Sequence, residues 1–388
     1  MKITNSASFG TKLKQHFSCQ SCRNFRKKSF YTLLLVYNTF LFQLSYFITL
    51  SLAGYLALSV FTKPRVKPIT SGSNELDLFF TSVSAATVSS MSAMEMEVLS
   101  NSQLIILTIL MLLGGEIFTS LLGIHVEKFK LRETLMITKA TNSTNSRELE
   151  QTELNGTISH DNLENQSTSR GLDIDTRYLK LNSIRYLGYV VLGYLLVVHI
   201  AGSLFVYSYF ILFSSARQVL NSKGIEIQTF AVFTTVSTFS NCGFVPTNEN
   251  MIVFKENSGL LLLLVSQILL GNTLYPVFLR VAIRVVGKIT KRREFIHMMR
   301  NNREIGYDHL LSGHHSTFLA LTAFVFISVQ FTLFCTLEWN SEALKGLGLY
   351  NKFVASLFEV VNSRHAGESV LDISLISPAI LVLFVIMM

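Results

Sequence analysis

Five stretches of this sequence carry no charged side chain, and they restrict its possible folds more than any other feature. Ser29–Thr62 runs 34 residues without Asp, Glu, Lys or Arg, Tyr186–Ala216 runs 31, His309–Leu337 29, Asn257–Leu279 23 and Val98–Gly115 18. A helix rises about 1.5 Å per residue, so roughly 20 apolar residues cross a hydrocarbon core of about 30 Å. Buried helices of a soluble core rarely run this far without a charged face, which argues against a soluble fold. Charged residues make up only 15% of the chain, where a soluble domain carries about 25%. With 30 Phe and 5 Pro, the composition also excludes disorder or a disulfide scaffold as the main character. The chain reads as an all-α membrane protein with several spans.

A sixth uncharged window, Ile373–Met388, differs. Ser377-Pro378 delays its apolar helix, leaving Ala379–Met388, ten residues, or about 15 Å of helix. That is half a crossing, so the sequence reads as a truncated product. Orientation follows from Lys and Arg alone. Seven fall in 1–28, nine in 126–185 and eight in 280–308, against three each in 62–97, 217–256 and 338–372. The count predicts a cytoplasmic N-terminus, with the first apolar segment retained as a span.

The segments between paired spans repeat. Phe80-Thr81-Ser82-Val83-Ser84 aligns without gaps to Phe233-Thr234-Thr235-Val236-Ser237, and the register sets Ser90 opposite Gly243. Each copy precedes an inner helix, one bearing Leu112-Leu113-Gly114-Gly115, the other Leu269-Leu270-Gly271-Asn272. A weaker third copy is Phe358–Gly367. The pattern predicts helix, re-entrant segment, helix, three times over. Non-helical backbone at membrane depth must be buried in protein or line a water-filled cavity. Several such segments ending in Gly or Ser fit carbonyls converging on one axis, where oxygens replace a cation's hydration shell. The alternative is that Gly243 and Gly367 simply terminate their short helices as C′ glycines.

At these residues the sequence resembles a known family. Ser82–Ser92, Phe233–Asn250 and Asn362–Glu368 are similar to plant high-affinity potassium transporter (HKT) proteins, which group with the microbial Trk/Ktr potassium transporters. The resemblance runs from about residue 30 to the C-terminus and is most specific around the second segment. It implies repeated helix–pore loop–helix units, three of an expected four, the third incomplete. The expected organisation is a basic cytoplasmic tail (1–28), a first unit (29–125), a cytoplasmic loop (126–185), a second unit (186–290), a second loop (291–308) and a truncated third unit (309–388).

The resemblance also implies a function: passive transport of Na+, with K+ able to permeate, through a filter of backbone carbonyls at a plasma membrane. Family filter positions map onto Ser90, Gly243 and Gly367, flanked by Val88, Ser89, Asn241, Cys242, His365 and Ala366. Ser90, where potassium-selective relatives have Gly, resembles the sodium-preferring subfamily. Asn221, ahead of the second segment, is similar to a non-acidic residue of sodium-type members. Metal contact is expected only as transient Na+ or K+ at the filter carbonyls. With three of four oxygen contributors, the alternative is a non-conducting subunit that modulates full-length copies, as a homo-oligomer or by assembly with them.

Several residues stay open between two roles. Glu95, Glu97 and Glu249 either concentrate cations at the outer mouth or are solvated loop acids. Glu116, read as lying inside an inner helix, either partners a buried donor or acts near the cation path. Arg280, Arg284, Lys288, Lys291, Arg292 and Arg293 fit the positive-inside bias and anionic lipid rather than nucleic acid. Cys19 and Cys22 form one C-x-x-C with no second pair, which argues against a zinc or redox site. No nucleotide motif or paired nucleophile and base is visible, so neither an enzyme nor a cofactor is expected. Residues 135–175, rich in Asn, Ser, Thr and Glu, read as a flexible loop.

Overall fold

The computed structural model describes residues 39–60, 75–153, 160–364 and 366–387, with side chains over 41–60, 75–137, 175–364 and 366–387. The basic tail and His365 therefore lie outside the described residues. The described backbone falls into two compact units that divide between Ser51 and Leu52. Among the described residues there is no strand. Three helical stretches are long and apolar enough to cross a membrane: Leu41–Val60, Asp175–Leu212 and Gly313–Glu338. They belong to α1 (Thr39–Val60), α5 (His160–Leu212) and α12 (Gly313–Glu338). Leu196, Val197, Ile200 and Leu204 on α5, and Phe318, Leu321 and Phe324 on α12, are exposed. Large apolar side chains turned outward along a whole helix suit hydrocarbon as the surrounding solvent. This is an all-helical, multi-pass membrane protein.

Two predicted inner helices are not single rods. α3 (Asn101–Gly114) and α4 (Glu116–Glu153) bend by 51° at Gly115, and α8 (Ser258–Gly271) and α9 (Tyr275–Thr290) bend by 79° across Asn272–Leu274. The Leu-Leu-Gly motifs mark these breaks rather than the interior of a straight helix. Close packing supplies the reason. A methyl on Gly114 would lie 1.9 Å from the Ala86 carbonyl oxygen, and one on Gly271 1.9 Å from that of Phe239. Both glycines let the end of a short buried helix press onto the inner helix, and Pro276 then restarts α9.

The region read as a flexible loop also departs from expectation. α4 continues to Glu153 and α5 begins at His160, so most of 135–175 is helical backbone. Glu, Leu, Arg, Lys and Gln are good helix formers, no Pro interrupts them, and the apolar parts of both helices propagate outward into the polar segment.

Three short helices lie between the long ones: α2 (Glu75–Ala86), α7 (Ile227–Ser240) and α13 (Leu349–Arg364). α7 buries ten of its 14 residues. Its Phe230 sits with Phe210 of α5 and Phe254 in a three-ring cluster, centroids 5.2–5.8 Å apart. Edge-on aromatic packing of this kind adds about 0.5–1.5 kcal/mol per pair beyond area burial. Leu260, Leu264 and Phe358 extend the same core to α8 and α13. A second core joins Ile117 and Leu121 of α4 to Leu187 and Val191 of α5 and to Tyr275 and Leu279 of α9. α7 and α13 are thereby fixed, and their C-terminal ends with them.

Candidate functional site

The same closure recurs at three helix ends. The N–H of Ser89 donates to the Ser84 carbonyl at 3.0 Å, Cys242 to Ser237 at 2.9 Å and Gly367 to Asn362 at 3.4 Å, each reaching back five residues. The chain beyond turns left-handed in alternation. φ is +56° at Val88 and +57° at Ser90, +57° at Asn241 and +76° at Gly243, and +75° at Gly367. The left-handed cap of α7 is Asn241, so Gly243 does not end that helix; it lies two residues further along the turn. Alternating handedness points successive carbonyls to one side, which an ordinary strand does not do. The helix C-termini add partial negative charge at the same place.

A hydroxyl steadies each of the first two turns. Met91 N–H donates to Ser84 Oγ at 2.9 Å, and Ser237 Oγ donates to the Phe244 carbonyl at 2.7 Å. Ser84 also meets Ser89 Oγ at 3.0 Å. Ser84 and Ser237 are the matching last residues of the repeated Phe-Thr-x-Val-Ser motif. That equivalence was the signal for them, though neither was read as a site residue.

The three turns come together. A methyl on Gly243 would lie 1.7 Å from the Ala366 carbonyl oxygen and 3.3 Å from Ser90 Cβ, and one on Gly367 would lie 3.8 Å from Ser90 Oγ. Only a residue without Cβ fits at Gly243, for space as well as for its positive φ. Ser90 holds a left-handed conformation despite its Cβ, at a cost of about 1–2 kcal/mol. Cys242 and Ala366 are buried, while Ser89 and Ser90 are exposed.

A cavity of about 400 Å³ opens on one side of this junction, lined by Ser92, Met94, Glu95, Gly243, Thr247 and Asn248 among others. Beside it the expected mouth acids are engaged. Lys223 Nζ lies 2.6 Å from Glu97 and 2.5 Å from Glu249. Asn248 donates its Nδ2 to Glu95 at 3.1 Å and its backbone N–H to Glu97 at 3.0 Å. The Lys223 ammonium holds the Glu249 carboxyl below the ordinary carboxylate range. Partial burial by itself would lower the Lys223 value, but its two carboxylate partners raise it. Nothing in the linear sequence paired Lys223 with Glu97, 126 residues away. Asn221 is exposed on the last turn of α6 (Ser214–Ser222), two residues before Lys223.

Away from this mouth a cavity of about 190 Å³ is lined by Glu116, Asn272, Thr273, Tyr275, His309 and Arg364. Glu116 is not buried within a helix. It opens α4 at the bend, its side chain 69% exposed and 3.6 Å from His309 Nε2. The 51° break brings it to the cavity surface. Among the described residues no cluster of His, Cys, Asp or Glu could hold a resident metal ion.

Comparison with known proteins identifies relatives of the chain. The profile of the TrkH family, described as cation transport protein, matches residues 175–388. The sodium transporter HKT1 of Arabidopsis thaliana is 48% identical over 337 residues, covering 84% of this chain and 62% of that protein. The cation transporter HKT1;3 of Oryza sativa subsp. japonica is 44% identical over 362 residues, covering 90% of this chain and 66% of its own length. The cation transporter HKT1;1 of the same rice is 40% identical over 373 residues, covering 93% and 65%. The chain thus spans a little under two thirds of the length of these relatives.

Proposed function

The chain belongs to the TrkH cation transport family, with plant HKT transporters among its relatives, and from that premise we propose that it passes monovalent cations across a membrane, sodium ahead of potassium. The observation that carries this reading is the junction of Ser90, Gly243 and Ala366–Gly367: a methyl on Gly243 would meet both the Ala366 carbonyl oxygen and Ser90 Cβ, and one on Gly367 would reach Ser90 Oγ. A cation entering from the 400 Å³ cavity exchanges its water for main-chain carbonyl oxygens. The α2, α7 and α13 termini stabilise it through their negative ends. It then leaves toward the cavity at Glu116, Asn272 and Thr273. Transport is passive, driven by the ion gradient and by about 2.3 kcal/mol per charge per 100 mV.

Sodium preference follows from Ser90. Its Cβ and Oγ face Gly243 and Gly367, where an added methyl would lie 3.3 Å from Ser90 Cβ and 3.8 Å from Ser90 Oγ respectively. That crowds one side of the ring and favours the smaller ion. The N-terminus is cytoplasmic in this reading, and the lysine-bridged acids face outward. The test is electrical recording from oocytes expressing this chain. The reversal potential should move by about 59 mV per tenfold change in external Na+, and less for K+. A cell with the protein at its surface and no cation current above background contradicts the proposal.

A further inference from the structure

α13 meets its filter strand differently from α2 and α7. The residue six before the filter position is Ser84 in the first segment and Ser237 in the second, and each hydroxyl holds the strand beyond. The corresponding residue of α13 is Val361, which has no polar atom. The next residue, Asn362, turns its Nδ2 to the Phe358 carbonyl at 3.2 Å instead. The strand after Gly367 is nevertheless held, by Glu359. This carboxylate is 4% exposed and accepts from Val370 N–H at 3.1 Å, while Ser369 Oγ, 3.2 Å away, shares its one hydrogen between Glu359 and the Leu371 carbonyl at 2.5 Å. On its other side the strand is pinned by Met251, whose N–H donates to the Ser369 carbonyl at 3.0 Å. Ser369 and Val370 follow Gly367 closely, so the carboxylate fixes the segment that determines where the Gly367 carbonyl points.

Burying an acidic side chain to 4% exposure is unfavourable unless donors meet it, and the partners that do so come from the filter strand. We propose that Glu359 is a positioning residue for the third filter strand, setting its carbonyls and through them the ion preference. The proposal rests on the filter reading above, but its mechanical part can be read without any current.

Two measurements on this chain test it. The first is hydrogen exchange in detergent over residues 366–372, comparing Glu359→Gln, Glu359→Asp and Glu359→Ala. Glutamine keeps an acceptor oxygen at the same reach, aspartate falls one methylene short, and alanine removes the acceptor. Exchange should quicken about fivefold or more in the Asp and Ala variants, as expected for loss of a hydrogen bond, and stay near the parent in Gln. Equal protection in all four proteins overturns the brace. If the Ala variant does not reach the membrane, the Asp and Gln pair decides alone. The second is the Na+ to K+ permeability ratio, which should fall toward unity in Asp and hold in Gln. A parent without cation current, with exchange as predicted, removes the transport reading and leaves the brace standing. An unchanged ratio in Asp, with parent current present, overturns the selectivity part.

Discussion

The first and second filter turns close with the same hydrogen bonds but are held by their surroundings to different degrees. After α7 the turn is enclosed, with Cys242, Phe244 and Val245 buried and Gly243 pressed against Ala366. After α2 the corresponding stretch, Ser89–Ser92, is exposed, and a serine occupies a glycine's conformation. Local hydrogen bonding therefore suffices to shape the turn, whereas tertiary enclosure decides whether a Cβ can be tolerated in it. The second turn is set by sterics; the first has latitude, which places adjustment of ion preference there.

The sharpest way to break this contrast is to exchange the requirement. Gly243→Ala puts a methyl 1.7 Å from a backbone oxygen, which backbone cannot relieve cheaply. Cation current should drop tenfold or more, a loss of about 1.4 kcal/mol at least, whereas Ser90→Ala should keep most of it. Comparable currents in the two variants would dissolve the distinction. Next in size, Ser90→Gly removes the crowding and the roughly 1 kcal/mol of left-handed strain. The K+ to Na+ permeability ratio, read from reversal potentials, should rise several-fold. Gly114→Val tests the abutment behind the first turn. It should reduce surface protein and thermal stability through the clash with the Ala86 carbonyl, and wild-type melting would exclude that packing role.

The smallest effect concerns the bridged acids. Lys223→Gln frees Glu97 and Glu249, so Na+ current should rise at low ionic strength by about two-fold and converge with the parent at high salt, where exposed charges are screened. The sign with pH is also fixed. Glu249 has a depressed value because of Lys223, so the bridge is intact above the ordinary carboxylate value and is lost as pH falls through the lower, folded one. The stability difference between the parent and Lys223→Gln, read as melting temperature, should therefore shrink as pH falls through that lower value, and a difference that persists unchanged there would exclude the bridge as its cause.

Much of this arrangement was legible in the chain itself. Uncharged windows located the spans because hydrocarbon tolerates few charges over 20 residues. The repeated Phe-Thr-x-Val-Ser motif located two turns because in both a serine hydroxyl at the same place in the motif holds the chain beyond the helix. What the sequence did not disclose depended on contacts far apart in the chain. Lys223 with Glu97, Glu359 with its own strand and Gly114 against Ala86 become visible only once the short helices are seated. The helical course of residues 135–153 was hidden for another reason: polar composition mimics a loop, while propensity and continuity with an apolar helix favour extension. Glu116 misled because an acid within an apolar run reads as buried until the bend at Gly115 turns it out.

Whether main-chain oxygens of these three turns share one ion is best answered by anomalous scattering from crystals of this chain soaked in thallium, a monovalent cation with strong signal. Density should appear at coordination distance from the carbonyls of Ser90, Gly243 and Gly367 together. Occupied thallium sites elsewhere, with none between those residues, would contradict a shared filter.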